Sequence, residues 1–268
     1  MLGAMIGDIV GSRFEFDNHR DKNFELFTDE CKVTDDSIMT LAVAKALMET
    51  AKHSVGAEPY RSELERLTVK YMQEIGRKYP DCGYGGMFGR WVFSESPMPY
   101  NSFGNGAAMR ISPVGFFTRS EEEVRRLSKA VTGVTHNHEE GLKGAEAVAM
   151  AIFWARKGKD KEEIRQNIVQ HYYSLNFTID GIRDTYLFNE TCQETVPQAI
   201  VAFLESASFE DAIRTAISVG GDSDTLAAIT GSIAEAYYGV PKELREKALT
   251  YLDDYLSVIF YEWEKFIQ

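Results

Sequence analysis

Two short stretches carry most of the side chains able to do chemistry. "TDDS", Thr34 to Ser37, and "DSDT", Asp222 to Thr225 behind Gly220 and Gly221, each crowd two acids and two hydroxyls into one turn and then run into an apolar helical pattern. An ordinary helix start needs one short polar cap, and further acids beside the helix dipole add only about 0.3–1 kcal/mol each. Either both starts are over-capped, or they hold a cation. Carboxylates with threonine hydroxyls and water suit Mg²⁺ or Mn²⁺, which take near-octahedral oxygen coordination, and two clusters could hold two ions. A soft thiolate site is absent: Cys31, Cys82 and Cys192 are odd in number, widely spread and without a CxxC pair, which also argues against a disulfide framework.

Three further stretches have the composition of functional loops. In "GAMIGDIVGSRFEF", Gly3, Gly7 and Gly11 recur every four residues on one helical face. Glycine in a helix costs about 1 kcal/mol relative to alanine, so the pattern reads first as close packing against another helix. Glu15, just beyond the last glycine, could also set a carboxylate beside whatever the other acids hold. "SFGNGAAMR", Ser102 to Arg110, is a glycine-flanked turn running into small residues. It is either a plain turn or a helix N-terminus offering free amides to a phosphate, and Met109 stands where a dinucleotide fingerprint needs its third glycine. In "THNHEEGLKGAEA", Leu142 replaces the histidine that HExxH would need. His136 and His138 are then either polar helix-entry residues, with Thr135 as a cap, or donors to a phosphate or ribose oxygen.

The scaffold that must position these residues is helical. Leu64, Leu67, Tyr71 and Ile75 repeat at three and four; so do Ala145, Ala149, Ile152 and Ala155, and Leu244, Ala248, Tyr251 and Tyr255. Ile38, Leu41, Ala42 and Leu47 would face inward behind the first acid cluster, as Leu226, Ile229, Ile233 and Tyr237 would behind the second. Ser120 with Glu123, Thr195 with Gln198, and more weakly Ser208 with Asp211, read as capping boxes, and Gly239 reads as a helix stop. Strand-like alternation is scarce, and no repeat or linker interrupts the chain. One all-α domain over residues 1–268 is expected, with long glycine-rich loops near "KYPDCGYGGMFG" and "SESPMPYNSFGNG" as places for function.

Bulk properties narrow the class. With 41 acids against 29 bases the net charge is −12, which argues against non-specific nucleic-acid binding, since that needs a basic field. No apolar run is long enough to span a bilayer, and Asp8 interrupts the first one. "MLGAMIG" lacks a basic leader and has Leu2 where a myristoylated chain has glycine. A cytoplasmic protein with no membrane partner is expected, and a monomer.

Together these stretches, in this order, resemble the ADP-ribosylglycohydrolases, an all-α family. The resemblance rests on "GAMIGDIVGSRFE", "TDDSIMT", "GYGGMF", "SFGNGAAMR", "THNHEEGLKGAEAVAMAI" and "GGDSDTLAAITGSIAEAYYG", from Gly3 to Gly239. It implies two Mg²⁺ or Mn²⁺ ions held by Thr34, Asp35 and Asp36 and by Asp222, Asp224 and Thr225. It implies a diphosphate-ribose cradle at Ser102, Gly104, Asn105 and Gly106, with His136, Tyr84 and Gly85 near the ligand. Glu15 matches the family's acidic residue after the first glycine helix. Ser37 departs from the threonine of many relatives but keeps a hydroxyl.

The implied reaction is hydrolysis of the N- or O-glycosidic bond joining ADP-ribose to a modified protein side chain or a small molecule. Such cleavage passes through an oxocarbenium-like state, with Glu15, Asp36 or Asp222 as the group taking a proton from water. Two other readings stand beside it. A prenyl or terpene enzyme of the DDxxD type would need an acid at Met39. An inactive ADP-ribose-binding relative would have lost metal residues, whereas all six positions named above carry oxygen.

Overall fold

The computed structural model describes residues 1–53 and 57–268, with side chains of 53 and 57–59 left aside. The described residues form helices α1 (Leu2–Gly11), α2 (Asp35–His53), α3 (Ala57–Gly76), α4 (Gly86–Phe93) and α5 (Gly106–Met109). Then come α6 (Ser112–Phe117), α7 (Glu121–Gly133), α8 (Glu139–Arg156), α9 (Lys161–His171) and α10 (Ile179–Ile182). The last five are α11 (Cys192–Glu205), α12 (Phe209–Ile217), α13 (Ser223–Tyr238), α14 (Lys242–Leu249) and α15 (Asp254–Ile267). The only extended pairing among them is an isolated bridge between Gly104 and Thr191. None of these helices is long and apolar enough to cross a membrane.

Helix α13 is the axis of the molecule. It packs against α1, α8, α11 and α12, while α2 packs on α1, α3 and α15. Every residue of α1 is buried, Asp8 included. The glycine repeat explains how a helix can be enclosed so closely. A Cβ at Gly7 would stand 2.0 Å from the Ala227 carbonyl oxygen, and one at Gly3 would stand 2.1 Å from that of Gly231. At Gly11 it would lie 2.5 Å from Asp224 Cα. Backbone therefore lies on backbone along the α1–α13 contact, which sets the start of α13, with its acids, directly against the end of α1.

Most of the expected inward positions are buried: Ile38, Leu41, Ala42 and Leu47 in α2, and Leu226, Ile229 and Ile233 in α13. Tyr237 is not among them. It is 37% exposed and stacks edge-on with Phe203 and Tyr238 at the helix end. The period through Leu244 and Tyr255 is split by a turn between α14 and α15, so Tyr251 lies outside a helix. Ser120 and Ser208 cap α7 and α12 by accepting from the Glu123 and Asp211 amides, and Gly239 ends α13 with φ +75°. The box expected at Thr195 is not there. Helix α11 begins three residues earlier at Cys192, and the Thr195 hydroxyl donates to the Asn189 carbonyl instead. A full capping box occurs at Asp160 with Glu163.

Alanine would improve helix propensity at Gly7 by about 1 kcal/mol, but its methyl group would meet a carbonyl oxygen that cannot rotate away. Overpacking of this kind costs about 1–3 kcal/mol or more. Gly7→Ala is expected to lower unfolding free energy by about 2 kcal/mol or more on balance, read by chemical denaturation; an unchanged midpoint would contradict the backbone contact.

Candidate active site

The starts of α2 and α13 meet over the end of α1. Asp8, in the middle of that buried helix, accepts from the Thr34 hydroxyl at 2.5 Å and from the Thr34 and Ser37 amides at 3.1 Å each. It thereby ties down the first turn of α2. Across from it, Thr225 donates to Asp36 Oδ2 at 3.3 Å, while Asp36 Oδ1 has no hydrogen-bond partner although it is buried. Asp222 holds the N-cap position of α13, but its side chain caps nothing; Oδ2 accepts instead from Asn105 Nδ2 at 2.6 Å. The acids are thus not surplus caps.

Two groups of carboxylates could each hold a cation. Oxygens of Asp8, Asp36 and Asp224 lie within 4.8 Å of one another, and so do oxygens of Glu15, Asp222 and Asp224. Asp224 belongs to both groups. Asp35 sits half-buried at the edge, where a Cβ on Gly83 would come within 3.1 Å of its Oδ1.

Electrostatically the cluster is costly. Asp8, Asp36, Asp222 and Asp224 are all at least 94% buried, being 0%, 3%, 6% and 4% exposed, and among the described residues none has a lysine or arginine within ion-pair distance. Burial, then the charge of Asp8, pushes Asp35 up to about 8. Burial and the neighbouring Asp8 and Asp222 charges raise Asp36 and Asp224 respectively well above the carboxylate range. Half-buried Glu15 is raised to about 7, first by burial and then by Asp222. Buried charges persist when they are paired or bind metal. An oxygen-only donor set with an orphaned carboxylate oxygen, and no protein cation, fits a hard divalent ion.

Above the acids opens a cleft of about 660 Å³, lined by Glu15, Asp35, Asp36, Asp222, Asp224 and Thr225. Gly83, Gly85, Met87, the loop Tyr100–Gly106 and His136 complete its lining. Most expected site residues therefore meet in one place. Two are set back from the wall. The Thr34 hydroxyl is turned to Asp8, and Tyr84 packs edge-on to Phe88 with its hydroxyl donating to the Gly76 carbonyl at 3.2 Å.

The Ser102–Arg110 turn is not the open helix N-terminus that a phosphate cradle suggests. Helix α5 has only four residues, and nearby amides are already engaged: Gly104 N with Ser102 Oγ at 3.1 Å, Asn105 N with the Glu190 carbonyl at 2.7 Å, Ala107 N with the Gly104 carbonyl at 3.2 Å. The loop is pinned to the strap before α11 and, through Asn105, to Asp222. Its glycines leave space instead: Cβ atoms at Gly104 and Gly106 would stand 3.6 and 3.5 Å from His136 Nε2. The cap of α8 is His138, accepting from Glu140 N, rather than Thr135.

Sequence reasoning passed over Asp8 except as a break in an apolar run. A single acid inside a wholly apolar glycine helix was the signal, because such a group is buried only with partners. Arg110 was passed over too; nothing in its type or spacing sets it apart.

An all-α fold with buried acids beneath a glycine-lined cleft defines a helical protein built to hold an oxygen-rich ligand or cation. The chain belongs to the ADP-ribosylglycohydrolase family, whose model matches residues 1–262. It is accordingly a glycohydrolase enzyme. It is 26% identical to human ADP-ribosylhydrolase ARH3 over 90% of this chain and 84% of that one. It is 27% identical to ADP-ribosylarginine hydrolase Tri1 of Pseudomonas putida over 92% and 72%. A solved ADP-ribosylglycohydrolase-related protein complex shares the fold, with TM-score 0.67 and 21% identity over 98% of this chain and 96% of that one.

Carboxyls raised above their unfolded value near 4 take up protons on folding, so their contribution is fullest below that pH and is lost as pH rises through the folded values. In chelator, the thermal midpoint is expected to fall between pH 5 and pH 8, and less steeply in Asp224→Asn. Equal slopes in the two proteins would show that the clustered charges do not govern it.

Proposed function

We propose that the protein is a divalent-cation-dependent hydrolase of the N- or O-glycosidic bond between ADP-ribose and a modified protein side chain or small molecule. The observation that carries the reading is the place of Asp224 in both carboxylate groups, the arrangement a two-ion centre needs. Thr34, Asp35, Asp36, Asp222, Asp224 and Thr225, with Asp8 now added, would hold two Mg²⁺ or Mn²⁺ ions. When bound, these ions supply positive charge that orients ribose hydroxyls and acidifies water. The relatives support the substrate class: one is an ADP-ribosylhydrolase and one an ADP-ribosylarginine hydrolase.

The protein's own groups divide the remaining work. Ser102, Gly104, Asn105, Gly106 and Gly85 line the space for the diphosphate and ribose, with Asn105 fixing that loop to Asp222. Tyr84 supports this wall from behind. Carboxylate charge that the ions do not neutralise favours a sugar that gains positive charge in the transition state. Glu15 lines the cleft beside Asp222 and Asp224, where a carboxylate can take a proton from attacking water; Asp36 and Asp222 are the alternatives. Free thiols at Cys31, Cys82 and Cys192 fit a cytoplasmic setting.

The test is release of free ADP-ribose from arginine-linked and serine-linked ADP-ribosylated proteins in Mg²⁺, Mn²⁺ or chelator. Release from one linkage, abolished by chelator and by Asp224→Ala, is expected. Binding of ADP-ribose with no release from either linkage would point to a binding protein or another linkage. Glu15→Gln is expected to keep ADP-ribose affinity and lose about 10²–10⁴-fold in kcat; full turnover would remove Glu15 from the role. Mg²⁺ at about a hundred times its Kd is expected to stabilise the fold by about 2.7 kcal/mol, read as a thermal shift that Asp224→Ala loses.

A further inference from the structure

Arg110 is 1% exposed at the C-terminal end of α5 and forms part of the cleft wall. Its Nη2 donates to Thr135 Oγ1 at 2.6 Å and to His136 Nδ1 at 3.2 Å, and its guanidinium lies 5.0 Å from the Phe88 ring centroid. Among the described residues Nε and Nη1 have no acceptor, and no carboxylate lies within ion-pair distance. A buried cation without a counter-ion is expensive, and its charge serves no ion pair in the fold. Its two acceptors indicate what the guanidinium does there.

A guanidinium donates and never accepts. Nδ1 of His136 must therefore carry the lone pair, leaving the ring proton on Nε2. Thr135 works in the same sense. Its oxygen accepts from Arg110, and its one hydroxyl hydrogen has two acceptors in reach, Nδ1 at 2.8 Å and the Thr132 carbonyl at 3.4 Å, of which the nearer favours the same tautomer. Nε2 then points at the space left by Gly104 and Gly106, about where their Cβ atoms would stand. Burial, then the Arg110 charge, holds His136 well below its ordinary value, which keeps the ring neutral.

We propose that Arg110 is a positioning residue: it fixes His136 as the Nε2–H tautomer, so that the ring presents a donor to a ligand oxygen held beside Gly104 and Gly106. The ligand's identity rests on the proposed function; the tautomer does not.

Long-range ¹H–¹⁵N correlation of histidine-labelled protein at pH 7 reads the tautomer directly, with His136 assigned by its loss in His136→Gln. The wild type is expected to show a protonated Nε2 and a bare Nδ1. Arg110→Met is expected to give mixed tautomers and, by calorimetry, ADP-ribose binding weakened by about tenfold, the scale of one lost hydrogen bond. Arg110→Lys, which keeps a charged donor, should recover part of both. A wild-type ring protonated on Nδ1, or an Arg110→Met protein with the wild-type tautomer, would overturn the proposal. If Arg110→Met does not fold, the wild-type and Arg110→Lys spectra decide, with a Lys variant in mixed tautomers and unchanged affinity counting against it. A wild type that binds no ADP-ribose yet shows the tautomer shift on substitution would sink the proposed function and leave the positioning of His136 standing.

Discussion

Four aspartates held together out of water, without a protein cation to offset them, are the constraint on which the structure turns. Their mutual repulsion favours pushing the starts of α2 and α13 apart. What opposes it is the backbone contact of α1 with α13, where glycine leaves no side chain to yield and Asp8 grips the first turn of α2 through three hydrogen bonds. The apolar core behind this junction is continuous through nearly all the helices. The acids therefore sit where backbone contact and buried hydrogen bonds hold the elements together, which is where a geometry at odds with its own electrostatics can persist.

The cleft above them is held together in a different way. Its loop binds its own amides and borrows the strap around Glu190 and Thr191 for support. Asn105 then carries that order across to Asp222, so the ligand wall and the acid floor share one hydrogen-bond network.

Much of this was legible in the chain. The two acid turns stood out because two carboxylates exceed what a helix start uses, and the glycine repeat because three costly residues on one face need a partner surface. The helices declared themselves by period, and the caps at Ser120 and Ser208 by spacing. Tertiary choices were less readable. Asp8 was hidden because its value depends on the Thr34 and Ser37 amides at the start of α2, 26 and 29 positions away. Thr195 looked like a cap, but the bridge between Gly104 and Thr191 accompanies an earlier helix start. The significance of Arg110 lies wholly in what surrounds it, which no local pattern records.

The α1–α13 contact joins residues more than two hundred positions apart, and the acids flanking it come from both ends of that interval. Bringing such distant segments together is slow, because chain entropy is lost before the contact rewards it. During synthesis the apolar first helix must wait, with its buried aspartate still in water, until α13 has left the ribosome. The acidic centre can therefore assemble only after α13 has been made, and the glycine face of α1 has no partner surface until then.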